Sequence, residues 1–253
     1  MSEQVIVRQD GGVMTLRLNR ADKKNALTDA MYGALVSAME RAGQDAAVRS
    51  VTITAEGADF CAGNDIGDFL AAGERIGEAN VFRFIRLLAS FAKPLVAGVQ
   101  GRAVGIGTTM LLHCDYVVAA DDAKLTTPFA ALGLVPEAAS SVLLPARIGH
   151  ARAFAMLAMG EAMGAGEAQR LGLVNAVVAP EDLGAAAGSA AQRIAALPPG
   201  AIQATKALMR DSAVLGAVMQ AEGTVFGERL QSEEAREAFT AFMQKRAPDF
   251  SRF

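Results

Sequence analysis

Twice in this chain a short β-branched segment runs into a loop of small residues and then into a helix, and that order restricts the folds open to it. The first pass is "SVTITAE" (50–56), the loop "GADFCAGNDIGDF" (57–69) and the helical segment around "NVFRFIRLLASFA" (80–92). The second is the strand "KPLVAGVQG" (93–101), the loop "RAVGIGTT" (102–109), a helix through "TMLLHCD" (109–115) and the returning strand "YVVAA" (116–120). Period-2 and period-3.6 segments in alternation call for helices layered on a sheet. The repeat is an approximate ββα pattern, without the fixed period of a solenoid.

The N-terminal part fits the same scheme. "VIVRQDGGVMTLRLN" (5–19) holds two strand-like runs around Gly11 and Gly12, which predicts a hairpin. Thr28 is placed to cap a helix over "DAMYGALVSAMERAGQD", in which Met31, Leu35, Ala38 and Met39 recur at helical spacing. Beyond "LPARIG" the chain turns Ala-rich and helical, with "LGLVNAVV" (171–178) as a last short strand. Pro198, Pro199 and Gly200 mark a boundary, giving a core over 1–197 and a helical region over 198–253. Two or three helices are expected there. Their Phe226, Phe239, Phe242 and Met243 form an apolar surface that suits a partner subunit.

With 253 residues, 52% of them hydrophobic, and a net charge of −3, the chain suits one large core. The charge argues against a nucleic-acid partner, and no basic amphipathic run suggests a membrane surface. "MSEQVIVRQD" lacks a charged leader followed by an apolar stretch, and no apolar run reaches the roughly 18 residues of a membrane span, so a cytosolic (cytoplasmic) location is expected. The terminal "SRF" differs from a peroxisomal "SKL". Cys61 and Cys114 stand far apart and only two histidines accompany them, which predicts buried free thiols and no metal cluster.

The chemistry-bearing residues are few. "GIGTTM" lacks the Lys-Ser/Thr pair of a phosphate loop. Two glycine loops that each open a helix can, however, aim unpaired backbone N–H groups at one point, where they hold a developing oxyanion. Glu137, in "LGLVPEAASS", is the only ionisable residue between Lys124 and Arg147. A carboxylate in such apolar company gains proton affinity and strength as a base, whereas a solvated carboxylate would have no such role.

"FCAGNDI", "KPLVAGVQGRAVGIGTTMLLHCDYVVAADDAKLTTPF", "LGLVPEAASSVLLPARIG" and "LGLVNAVV" resemble the crotonase superfamily, the enoyl-CoA hydratase/isomerase family, in order and spacing across essentially the whole chain. The resemblance implies an α/β, crotonase-like ββα spiral with a C-terminal helical trimerisation region, assembled as trimers or dimers of trimers. It implies an acyl-CoA thioester as substrate, with no further cofactor and no metal. The two oxyanion-binding amides fall on Asn64 and Ile106, and Ala62, Gly63, Asp65, Ile66, Gly105 and Phe129 on the substrate-binding surface.

The family's hydratases carry two glutamates at the positions of Thr109 and Phe129, so both carboxylates are absent here. "LGLVPE" instead resembles the Δ3,Δ2-enoyl-CoA isomerases of the peroxisomal type, which makes Glu137 the single acid/base. A catalytically weak acyl-CoA-binding protein, or a crotonase reaction on a ring substrate from aromatic degradation, are the alternatives. His113, Cys114 and Asp115 lie at a helix-to-strand transition and read as structural. Ser140 and Ser141 lie outside G-x-S-x-G, which argues against a hydrolase nucleophile. Lys23, Lys24, Lys245 and Arg246 suit CoA phosphates, and equally suit solvent.

Overall fold

The computed structural model describes residues 3–68 and 79–253. The predicted hairpin is formed by β1 (Val5–Asp10) and β2 (Val13–Leu18), antiparallel, with Asp10 opposite Val13. β3 (Ser50–Ala55), β4 (Leu95–Val99), β6 (Tyr116–Ala120) and β9 (Ala176–Val178) extend it in the order β1-β2-β3-β4-β6-β9, each added pair parallel. β4 is buried at every residue, as expected of a parallel strand covered on both faces. A second, three-stranded sheet has the order β5 (Arg102–Val104), β7 (Lys124–Thr126), β8 (Met163–Gly164). Successive turns of the chain therefore place one strand in each sheet and then a helix, which is the expected ββα spiral.

α1 (Asp29–Gln44) starts where Thr28 accepts a hydrogen bond from the Met31 N–H at 3.3 Å, and it buries Met31, Leu35, Ala38 and Met39. It packs on α2 (Asn80–Ser90), with the Tyr32 and Phe84 rings 5.5 Å apart. α3 (Ile106–Thr109) is a single turn continued as a tighter turn over Met110–His113. α4 (Ser140–Ile148), α5 (His150–Leu157), α6 (Ala165–Arg170) and α7 (Leu183–Ala195) follow, α7 lying across β3, β4 and β6. None of the described helices is long and apolar enough to cross a membrane.

Two expectations need correction. The loop 102–109 begins with a strand: Arg102–Val104 pairs in parallel with Lys124–Thr126, a non-local partner that three residues cannot advertise. The tail forms three helices, α8 (Pro199–Met209), α9 (Ser212–Leu230) and α10 (Glu233–Met243), but its aromatic residues are not one surface. Phe226 and Phe239 are each 7% exposed and bury against Phe129, Leu134 and Ala235, whereas Phe242 and Met243 are 57% and 64% exposed. The cause is close docking of α10 on Gly133. A Cβ there would lie 2.7 Å from the Ala235 nitrogen, and the backbone takes φ +70.

Candidate active site

The two glycine loops are joined directly. The Cys61 N–H donates to the Arg102 carbonyl at 3.0 Å, and the Val104 N–H donates to the Cys61 carbonyl at 2.8 Å. Gly107 permits the approach, since a Cβ there would fall 2.7 Å from the Cys61 oxygen. On the other side the Leu27 N–H donates to the Gly63 carbonyl at 2.8 Å, and the Asp65 N–H to the Leu27 carbonyl at 2.9 Å. Successive N–H groups of an extended segment point to opposite edges, so the Asn64 N–H faces away from Leu27. Ile106 opens α3, so its own N–H has no acceptor within the helix, whereas those of Thr108 and Thr109 donate to the Gly105 carbonyl, each at 2.9 Å.

A cavity of about 590 Å³ brings these loops together with the rest of the predicted set. Ala62, Gly63, Asn64, Asp65, Ile66, Gly105, Ile106, Phe129 and Glu137 all line it. Lys23, Phe226, Phe239, Phe242 and Met243 complete much of the wall, so the tail's aromatic residues serve the cavity as well as the core. Asp65 is committed elsewhere: its carboxylate accepts from Arg20 at 2.8 Å and from the Asp68 N–H at 3.1 Å. The Arg20 guanidinium holds it below the usual carboxylate range. Its evident work is to brace the loop that carries Asn64.

Sequence reasoning missed a second brace. Asn25 is fully buried, accepts from the Arg20 N–H and donates to the Glu56 and Asp59 carbonyls, each at 2.8 Å. Its backbone is left-handed, φ +54, a region that Asn tolerates but that the sequence does not announce. The Tyr32 hydroxyl donates to the Asn64 side-chain oxygen.

Glu137 stands between the turn at Ala130–Leu132 and α4. Burial pushes its carboxyl from 4.5 up to about 8; the Thr109 hydroxyl opposes that shift and the nearby Glu222 adds to it. Oε1 accepts a hydrogen bond from Thr109, and Oε2 is buried with no partner among the described residues. A smaller cavity of about 260 Å³ also reaches Glu137, and it shares Asn64 and Phe226 with the larger one. Glu222, from α9, lines the smaller cavity, yet both its oxygens are occupied by the Ala139 N–H at 2.7 Å and the Ser141 N–H at 3.0 Å.

The remaining candidates fall outside the chemistry. His113 is fully buried, with its Nε2 2.7 Å from the Ala138 carbonyl, and burial lowers it to about 3, so it is neutral and donates through Nε2. Asp115 accepts from the Leu95 N–H and from Lys206, each at 2.7 Å. Cys61 and Cys114 are free and buried, their thiols pushed up to about 12 by desolvation. Ser140 donates to the Glu137 carbonyl at 2.6 Å, and Ser141 offers its amide to Glu222. Of the four basic candidates Lys23 lines the large cavity, whereas Arg246 is held by Glu237 at 2.6 and 3.1 Å, so its charge is already neutralised.

The sequence pattern of the enoyl-CoA hydratase/isomerase family matches residues 8–252. Over 253 residues the chain is 36% identical to enoyl-CoA delta isomerase 2 of Rattus norvegicus, covering 97% of this chain and 64% of that protein. Over 256 residues it is also 36% identical to 2,3-dehydroadipyl-CoA hydratase of Escherichia coli K12, covering 99% of each. The chain thus spans about two thirds of the rat relative's length, 64%, and nearly all of the bacterial one. Among solved structures, an enoyl-CoA hydratase/isomerase from Pseudoalteromonas atlantica superposes with a TM-score of 0.94 at 40% identity, covering 98% of this chain and 100% of that one.

Proposed function

The chain belongs to the enoyl-CoA hydratase/isomerase family, and from that premise we propose that it is a Δ3,Δ2-enoyl-CoA isomerase with Glu137 as its single acid/base. The thioester carbonyl lies against the Asn64 and Ile106 amides in the larger cavity. Glu137 Oε2 takes a proton from C2, and the C–H electrons pass into a dienolate whose charge rests on the thioester oxygen. The same carboxyl then delivers its proton at C4, leaving the double bond between C2 and C3. Nothing is oxidised or reduced, and one proton travels.

The observation that carries this reading is the free oxygen of Glu137 in a cavity where, among the described residues, no second free carboxylate of the kind hydration requires is present. Hydration needs a water held and deprotonated while a proton is given elsewhere. Thr109 and Phe129 supply no carboxylate, and both oxygens of Glu222 are taken by backbone amides. The similarity to a hydratase and to an isomerase at equal identity does not separate the two, and this geometry supports isomerisation. Lys23 meets the CoA end of the substrate.

The test compares turnover of 3-enoyl-CoA and 2-enoyl-CoA thioesters, followed by absorbance. Isomerisation of the first and slight hydration of the second are expected, and brisk hydration refutes the reading. We further propose assembly with other copies of this chain, through a tail that exposes Leu208, Met209, Phe242 and Met243. A trimer or hexamer by light scattering is expected, and a monodisperse monomer at micromolar concentration refutes it.

A further inference from the structure

Directly after Glu137 come two non-glycine residues in the left-handed region, Ala138 at φ +56 and Ala139 at φ +55. Side chains with a Cβ adopt that region at a cost, and two in succession persist only where the surroundings impose them. Here the imposing contacts are specific. The His113 Nε2–H donates to the Ala138 carbonyl at 2.7 Å. Glu222 accepts the Ala139 N–H on one oxygen at 2.7 Å and the Ser141 N–H on the other at 3.0 Å. The Ser140 N–H and hydroxyl both donate to the Glu137 carbonyl, at 3.0 and 2.6 Å.

Glu222 is only 8% exposed, and a carboxylate withdrawn from water to that degree needs compensation. Its compensation consists of these two amides at the head of α4. It arrives from α9, far along the chain, so it ties the backbone directly after Glu137 to the C-terminal helices, as Arg229 of the same helix ties Gly133 before it. The αL pair decides the direction in which the chain leaves Glu137, and with it where Oε2 sits relative to the two loop amides.

We propose that Glu222 is the positioning residue of this site: it clamps the Ala139 and Ser141 amides, holds the Ala138–Ala139 pair in its left-handed form, and sets a second negative charge beside the base. The inference rests on the reading of Glu137 as the acid/base. Glu137 is faced by Thr109 from α3, by the neutral Tyr32 hydroxyl from α1, by Glu222 from α9 and, in the wall of the smaller cavity, by Arg86 from α2. Of these, Glu222 is the anion, and its charge raises the affinity of Glu137 for a proton.

Two variants separate position from charge. Glu222→Gln keeps the reach but removes the charge and sets an NH2 group against a backbone N–H. Glu222→Asp keeps the charge and falls one methylene short. Steady-state kinetics on a 3-enoyl-CoA thioester across pH, with the full chain and with Glu137→Gln as reference, give both readouts. In each Glu222 variant kcat is expected to fall by roughly 10- to 100-fold, the effect of displacing a reacting group by a fraction of an ångström to one ångström. In Glu222→Gln the acid limb of kcat/KM moves to lower pH, whereas in Glu222→Asp it stays at the wild-type position.

Wild-type kcat in the Glu222 variants, with Glu137→Gln inactive, overturns the clamp and leaves the base standing. A fall in kcat without movement of the limb in Glu222→Gln reduces Glu222 to fold support and overturns it too. An active Glu137→Gln overturns the base, and the clamp with it. Should Glu222→Gln fail to fold, Glu222→Asp decides alone: wild-type kcat, a moved limb or a changed KM overturns the inference, and kcat lost with KM and the limb unchanged upholds it.

Discussion

Glu137 and Glu237 both turn their carboxylates into the protein, and they end with opposite proton affinities. Among the described residues Glu137 has one hydroxyl donor, no ion-pair partner and one oxygen without a partner, so burial dominates and lifts it to about 8. Glu237 is 7% exposed, yet its oxygens accept from Arg246 at 2.6 and 3.1 Å, from Arg252 at 3.2 Å and from the Asp249 N–H at 2.9 Å. The Arg246 hydrogen bond is the foremost cause that holds Glu237 well below the usual carboxylate range. Withdrawal from water alone does not make a base. A carboxylate becomes one when it is withdrawn and left unpaired in a place that a substrate can enter.

The sharpest way to break this contrast is to neutralise each carboxylate in turn. Glu137→Gln preserves size and shape, so thioester binding is expected to persist while isomerisation falls by roughly 10²–10⁴-fold, the range for a lost general base. Glu237→Gln leaves turnover near wild type at a temperature where the variant is folded. Turnover and calorimetric thioester binding on the same preparations check both, and comparable losses in the two variants would erase the distinction.

The pH profile gives the next effect. Glu137 must be deprotonated to abstract a proton, so kcat/KM is expected to climb tenfold per pH unit below its folded value of about 8 and to level off above it. A profile already flat at pH 6 would show that Glu137 is ionised there, and the contrast with Glu237 would vanish.

Stability should show the same opposition. For Glu137 the folded value lies above the ordinary 4.5, so the folded state binds the extra proton and wild-type stability declines as pH rises from about 4.5 to about 8. Glu137→Gln removes that penalty; it is expected to melt like wild type near pH 4 and to be the more stable protein at pH 8, by on the order of a few kcal/mol. For Glu237 the folded value is depressed. Its contribution is present above the ordinary carboxylate range and is lost as pH falls through the folded value. Glu237→Gln therefore melts below wild type at neutral pH, with the gap closing in acid. Thermal melts across pH check both signs.

The same pair shows what the sequence discloses and what it hides. Glu137 was legible because it stands alone between Lys124 and Arg147, whereas the loop positions were legible through the family resemblance of "AGND" and "VGIG", since a glycine loop by itself also serves ordinary turns. The partners were not. Thr109 could be read as a missing carboxylate, but its hydroxyl reaches Glu137 only after the chain returns through β6 and β7. Glu222 sits in "MQAEGTVFGERL", where nothing separates it from a solvated helix residue until α9 packs on α2 and its carboxylate meets the head of α4. Arg246 looked free for a phosphate because the tail's fold back onto Glu237 lies beyond helical periodicity. The architecture was read from local patterns, whereas the three-residue strands and the electrostatics depend on non-local pairing.

The smallest expected effect isolates the one hydrogen bond that the Glu137 carboxyl makes among the described residues. Thr109→Val keeps the branched shape of a fully buried side chain and removes only the hydroxyl that Glu137 Oε1 accepts. That hydrogen bond favours the charged carboxylate and pulls against burial, so its loss should raise Glu137 further. A hydrogen bond to a charged group is worth roughly 1.5–3 kcal/mol, and the alkaline shift should be about one to two pH units. At pH 7, where the wild-type base is already mostly protonated, kcat/KM falls by the corresponding roughly 10- to 100-fold. Above the shifted limb the two proteins converge, because the base is then fully ionised in both. The direction is opposite to that expected for Glu222→Gln, so one set of pH profiles reads donor and anion separately. If the Thr109→Val limb coincides with that of wild type, the hydroxyl does not act on the ionised form, and the free oxygen alone would have to account for the behaviour of Glu137.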